Sequence, residues 1–198
     1  MAEQQNILVI LGHPTAESLC AGMARAYAEG ARRAGAQVRF LDVGQLTFNP
    51  LFQGYGAAQP LEPDLLAAQA DITWAHHLVW VYPIWWGAMP ALLKGFIDRV
   101  LLPGYAFKYR KGSSLWDKLL AGRSAELLVT MDSPPWYFRW VTRMPGHHQM
   151  KKAILEFCGI SPVQVHSFGP VRSASPTRIG VGSGSLKRSS KRALFARE

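Results

Sequence analysis

Four tryptophans of this 198-residue chain stand in two tight groups, and a third polar connector completes the chemistry on offer. The first group is Pro83-Ile84-Trp85-Trp86-Gly87-Ala88-Met89-Pro90; the second is Met131-Asp132-Ser133-Pro134-Pro135-Trp136-Tyr137-Phe138-Arg139-Trp140. Large flat side chains placed in connectors either pack under a neighbouring segment, here Lys108–Leu120, or stay exposed, and exposed aromatic surface marks a binding place. A planar ligand laid against Trp85 and Trp86 would cover that area, with backbone N–H groups in reach of its carbonyls. Trp136, Tyr137, Phe138 and Trp140 also admit a subunit interface, because aromatic residues and arginine are enriched in interface cores. The third connector, Gly12-His13-Pro14-Thr15-Ala16-Glu17-Ser18-Leu19, carries hydroxyls just before a helical stretch. Free N–H groups and the dipole at a helix start hold phosphate, helped by Thr15 and Ser18; Ser18 taken alone also reads as that helix's cap.

Other chemistries are poorly served. The loop after the first strand is neither GxGxxG nor GxxxxGK[ST], which disfavours a dinucleotide fingerprint and a P-loop kinase. Cys20 and Cys158 lie far apart without CxxC spacing, so they read as packing residues rather than a disulfide framework or a zinc site. His76 and His77 have no carboxylate or thiol at ligand spacing and read as solvent-facing or structural, with no metal expected. The net charge of +9 is uneven: residues 172–198 hold seven basic residues against one acid, leaving +3 on residues 1–171. The basic segment is rich in Gly and Ser, a composition that orders poorly, and a single aromatic residue, Phe195, stands among its cations, fewer than the row of platforms that nucleic-acid stacking requires. The apolar run Leu78–Leu93 is broken by Pro83, Gly87 and Pro90 and is no membrane span. The first residues lack a secretion signal, so the cytoplasm is the expected compartment.

The elements that must position these connectors follow from periodicity. Asn6–Leu11 is a continuous apolar run suited to a parallel strand buried on both faces. Ser18 caps a helix with apolar positions at Leu19, Met23, Ala26, Tyr27 and Ala34, and Gly35 stops it. Gln37–Val43 alternates as a strand nearer a sheet edge. An irregular stretch, 44–60, precedes a helix opened by Pro63. His77–Tyr82 and Ala125–Thr130 are further buried strands, separated by a helix from Ala91 to Leu101 that Pro90 begins. Gly146–Phe157 reads as a helix and Ile160–Phe168 as the closing strand. Alternating strands and helices imply crossover units on a parallel sheet, in the flavodoxin-like doubly wound order 2-1-3-4-5, with helices on both faces. Ligands in that order sit beyond the carboxyl ends of strands one, three and four, where the three connectors lie.

Gly12-His13-Pro14 with Ser18, Leu46-Thr47-Phe48-Asn49-Pro50, and the run from Pro83 through Pro90-Ala91-Leu92-Leu93-Lys94-Gly95-Phe96-Ile97-Asp98-Arg99-Val100 resemble the flavodoxin-like NAD(P)H:quinone oxidoreductases, including the modulator-of-drug-activity and potassium-efflux-ancillary branches. Leu155-Glu156-Phe157-Cys158-Gly159 resembles a later helix end of that family, and the likeness runs over residues 6–171. It implies a homodimer that binds FAD, or FMN as the alternative, takes NADPH or NADH as co-substrate and reduces a quinone or similar small acceptor by ping-pong hydride transfer. It also implies that His13, Thr15 and Ser18 contact flavin phosphate, with Leu19 among the cofactor-binding residues, and that Pro83, Ile84, Trp85, Trp86 and Gly87 cradle the ring. Thr130, Met131 and Asp132 close the other side, and Tyr137 with His147 or His148 is expected to assist catalysis. A regulatory flavin-binding subunit docked on a membrane potassium-efflux transporter is the alternative function. The turn after strand four departs from the family's glycine-rich pattern, and the helix expected after the last strand is not visible in the sequence.

Overall fold

The strand at Asn6–Leu11 (β1) has no polar side chain after its first residue and is buried along nearly its whole length, as a central strand must be. A computed structural model describes residues 5–55 and 59–172. In chain order the remaining elements are α1 (Leu19–Arg33), β2 (Gln37–Asp42), a short 3-10 turn (Val43–Gln45), α2 (Pro63–Trp74), β3 (His77–Pro83) and α3 (Ala91–Val100). Then come β4 (Phe107–Tyr109), β5 (Trp116–Lys118), β6 (Ser124–Thr130), α4 (Pro135–Trp140), α5 (Pro145–His148), a π-helical stretch (Gln149–Leu155), α6 (Glu156–Cys158) and β7 (Val163–Phe168).

β2, β1, β3, β6 and β7 form one five-stranded parallel sheet in that spatial order. Counting only its own strands, this is the doubly wound order 2-1-3-4-5 expected from the sequence. The small antiparallel pair β4–β5 stands apart from it. Those two strands are three residues each, too short to leave a period in the sequence. Their tie to the body is Trp116, whose ring stacks 4.5 Å from Phe157 and whose Nε1 donates to the Phe157 carbonyl at 2.9 Å.

Two cores lie on opposite faces of the sheet. One gathers Leu78, Trp80 and Tyr82 from β3 with Leu65 and Ile72 of α2 and Leu93 and Phe96 of α3. The other joins Val79 and Val81 to Ala21, Ala24, Tyr27, Ala28 and Ala31 along one stripe of α1. Alanines at that stripe let the helix lie close to the sheet. Ser18 caps α1, its Oγ accepting the Ala21 N–H at 3.1 Å, and Gly35 follows the helix end at φ 94°.

The long stretch between β2 and α2 is fastened by a buried cation. Arg99 of α3 donates to the Asn49 and Pro60 carbonyls and to both oxygens of Glu62, with Oε2 at 2.7 Å. A Cβ at Gly95 would sit 2.7 Å from the Pro50 carbonyl oxygen, so only glycine lets that loop lie on α3. The segment expected as one helix over 146–157 is continuous but π-helical in its middle, with Glu156 N–H bonded to the Lys151 carbonyl. The basic segment read as a tail lies outside the described residues from position 173 onward.

Candidate functional site

Three connectors meet where the parallel strands end. Gly12 N–H continues the ladder to the Val81 carbonyl at 2.8 Å, and Ile84 N–H does the same to the Thr130 carbonyl at 2.7 Å. Beyond these last bonds the strand ends splay and leave an open crevice. His13, Ser18, Leu19, Cys20, Pro83, Ile84, Trp85, Thr130, Met131, Asp132 and Val171 line it.

Its first wall is electropositive by construction. The first turn of α1 carries no acidic residue, so the partial positive charge of the helix start is not neutralised from within. The Ser18 cap satisfies only the Ala21 N–H, leaving the other first-turn donors for water or a ligand. The Thr15 N–H donates to His13 Nδ1 at 3.1 Å. The Thr15 hydroxyl and carbonyl lie 3.0 and 3.2 Å from the same nitrogen, so the loop closes on one edge of the ring and fixes it at the crevice. The His13 ring meets the Trp85 ring edge-on with centroids 5.6 Å apart, which couples the first wall to the second.

The second wall is a tight reverse turn. Trp85 N–H donates to the Ala88 carbonyl at 2.8 Å and Ala88 N–H returns a bond to the Trp85 carbonyl at 3.0 Å. Trp86 at φ 51° and Gly87 at φ 79° occupy its centre, the left-handed pair that such a two-residue turn requires. A tryptophan in that conformation is uncommon and strained, and its side chain is fully exposed rather than packed.

The floor is polar and buried. The Thr130 hydroxyl lies 3.3 Å from Cys20 Sγ. Burial raises the Cys20 thiol to about 11, so it is protonated at neutral pH and serves as a hydrogen-bonding group rather than a nucleophile. The third wall is held by the closing strand: Met131 N–H donates to the Phe168 carbonyl, and Val171 N–H to the Met131 carbonyl. Asp132 Oδ1 accepts the Arg172 N–H at 2.9 Å.

The crevice thus gathers nine of the residues expected from the sequence: His13, Ser18, Leu19, Pro83, Ile84, Trp85, Thr130, Met131 and Asp132. Thr15 is exposed beside it, and Trp86 and Gly87 form the rim turn. Tyr137, His147 and His148 are elsewhere. Tyr137 is on the exposed side of α4, and His148 is exposed on α5. His147 is buried against Phe138, with Nε2 2.8 Å from the Ser167 hydroxyl. Burial and then the nearby His148 charge lower its pKa to about 4, leaving it neutral. Cys20 and Val171 were missed as lining residues. The helix stripe placed Cys20 in the core, which is also true; only the sheet order brings it against Thr130.

A doubly wound parallel sheet with a crevice over its central strand ends defines the class: an α/β protein with an open crevice at the topological switch point. The model of the flavodoxin-like fold family matches residues 5–179, and the chain belongs to that family. The resemblance to NAD(P)H:quinone oxidoreductases agrees with its relatives. An uncharacterized NAD(P)H oxidoreductase of Haemophilus influenzae is 29% identical over 172 residues, covering 84% of each chain. The NAD(P)H dehydrogenase (quinone) 1 of Rattus norvegicus is 26% identical over 196 residues, covering 82% of this chain and 69% of its own. Among solved structures, an FMN-dependent NADH-azoreductase of Bacillus anthracis in complex with FMN shares the fold, with a TM-score of 0.75 at 17% identity over 96% of this chain and 100% of that one.

Proposed function

We propose that this protein is a flavin-dependent NAD(P)H:quinone oxidoreductase and that the crevice at the strand ends is its flavin site. The observation that carries the reading is the pairing of a helix start whose first turn holds no acid with a slot walled by Ile84 and Trp85 over a polar floor. The lining suits the group: first-turn α1 N–H groups and the His13 ring for phosphate, Pro83, Ile84 and Trp85 for a flat ring, and Thr130 for a ring or ribityl oxygen. FAD is favoured by the resemblance and FMN is the alternative.

Bound flavin supplies a two-electron carrier between a nicotinamide donor and a quinone acceptor. The chain's own part is positioning and electrostatics. Trp85 and Ile84 hold a planar group and exclude water from one face. The α1 dipole and His13 lower the energy of negative charge at the phosphate end. Donor and acceptor use the open side of the slot in turn, which is a ping-pong order. Tyr137 on α4 and His148 on α5 are candidates to meet the second substrate, with His147 a neutral supporting group. NADPH and NADH are both candidate donors. A homodimer belongs to this reading, and Leu51 and Tyr55, on the loop that Arg99 fastens to α3, offer exposed apolar surface for the second copy. The expected compartment is the cytoplasm; among the described residues no helix is long and apolar enough to cross a membrane.

The test is an absorption spectrum of the purified protein followed by stopped-flow mixing with NADH and with NADPH. A yellow protein that bleaches with one or both and recovers with a quinone is the expected result. A colourless protein that takes up neither flavin overturns the reading.

A further inference from the structure

Helix α1 meets the same face of β6 at two places. Tyr27 reaches Glu126, where the direction of the hydrogen bond is fixed because an ionised carboxylate only accepts. About two turns earlier in the helix, Cys20 Sγ lies 3.3 Å from Thr130 Oγ1, and there either group can donate. Both residues line the crevice floor, at 2% and 5% exposure. Among the described residues Cys20 is the one hydrogen-bond partner of the Thr130 hydroxyl. The backbone of Thr130 is committed to the sheet between β3 and β7, so its side chain is what the crevice meets.

The surroundings choose the donor. Burial keeps the thiol protonated at neutral pH, so an S–H is present to give. The sulfur stands on the second residue of α1, where its own backbone N–H and the positive end of the helix already favour its lone pairs. A thiol in that field turns its lone pairs to the helix start and its proton away, toward Thr130 Oγ1. Threonine is β-branched and stiff at χ1, so Oγ1 stays in place and only the hydroxyl proton turns. Once Oγ1 accepts the thiol proton, the described residues offer that hydroxyl proton no acceptor, and it is left for the crevice. Accepting one hydrogen bond also polarises the O–H into a better donor.

We infer that Cys20 is a positioning residue of the crevice: its S–H donates to Thr130 Oγ1 and so turns the Thr130 O–H toward an anionic oxygen held at the start of α1. The role rests on the flavin reading, in which that oxygen belongs to the flavin phosphate. A redox role for Cys20 fits less well, because burial holds it as a thiol and Cys158, the other cysteine of the chain, packs in the core on the opposite face of the sheet.

The experiment has two arms on the full chain. Infrared spectra read the S–H stretch, with Cys20→Ala identifying the Cys20 band. Thr130→Val, which keeps the shape of the side chain, should move that band to higher frequency as the thiol loses its acceptor. Fluorescence titration with FAD and FMN, and with riboflavin, which has no phosphate, then separates the phosphate end from the ring. Thr130→Val should bind FAD and FMN about tenfold more weakly, the worth of one hydrogen bond to a charged oxygen. Cys20→Ala should weaken them about threefold, as a neutral hydrogen bond one step removed would, and Cys20→Ser should restore them. Riboflavin affinity should hold in all three variants. The Cys20→Ala/Thr130→Val pair should bind no worse than Thr130→Val alone, because the thiol acts only through the hydroxyl. An S–H band that ignores Thr130→Val, additive losses in the pair, or riboflavin losses equal to those of FMN overturn the positioning role while the flavin reading stands. Failure of all three flavins to bind overturns the flavin reading, and this role with it.

Discussion

Glu126 and Thr130 project from the same face of β6, four residues apart or about 13 Å along the strand, yet their surroundings differ sharply. Near the amino end, buried Glu126 is surrounded by partners. Tyr27 donates its hydroxyl proton to Oε2 at 2.9 Å, His166 Nε2 lies 2.7 Å from Oε1, and His77 Nε2 lies 3.9 Å from Oε2. His77 is itself held by Ser124 at 2.8 Å. At the carboxyl end, Thr130 has one weak sulfur partner and lines the crevice, beside a helix start whose first turn carries no acid and a strained, exposed Trp86. One end of the strand uses its polar groups to hold the sheet together. The other keeps them free, which is where a protein that binds something must accept lower local stability.

The largest break in this contrast comes from Glu126→Ala. It strands Tyr27 and two histidines in a buried place and should cost about 4 kcal/mol of folding stability in a urea titration, while flavin uptake by the folded fraction stays unchanged. A loss of flavin affinity instead would mean that the two ends are coupled. The pH dependence comes next. Burial alone would raise the Glu126 pKa, but the close His166 contact, the nearby His77 ring, the His166 charge and the Tyr27 hydroxyl outweigh it and lower the pKa from an ordinary 4.5 to about 2. A depressed folded-state value means that this contribution is complete above the unfolded value and disappears as pH falls toward 2. Denaturant midpoints should show about 3 kcal/mol lost through that acid window, and the loss should be absent in Glu126→Ala.

The carboxyl end should respond in the opposite sense. Trp85→Ala removes a slot wall and should weaken flavin binding about tenfold by fluorescence titration, with folding stability changed by less than about 1 kcal/mol because the ring is half exposed. The smallest and least partisan effect belongs to Ser18→Ala. Losing the acceptor for the Ala21 N–H should cost about 1 kcal/mol of stability, and flavin affinity should fall by less than for Trp85→Ala.

Much of this was legible in the sequence, for physical reasons that vary by element. β1 and β3 are apolar on both faces, so no other element type suited them, and Ser18, Gly35 and Pro63 punctuate the helices as their backbone chemistry requires. The meeting of three connectors followed from the sheet order alone, since that order fixes which strand ends are neighbours. What stayed hidden depends on contacts distant in sequence. His77 was expected to be structural or solvent-facing, and it is structural because Glu126 and Ser124, unreadable as its partners, enclose it. α4 was hidden because Pro134-Pro135 and a run of aromatics resemble a loop, and prolines at a helix start do not oppose it. The π-helical turn left no compositional trace.

The bond from Ile84 N–H to the Thr130 carbonyl has a kinetic consequence. It extends the ladder one step past the last residue of β3, so two walls of the crevice are laced together at their base. A visiting molecule cannot pry those strands apart; it must come and go over the top, past the four residues from Trp85 to Ala88. The residence time of whatever sits there is then set by the breathing of one small turn, and the Ile84 amide should exchange its hydrogen as slowly as the heart of the sheet.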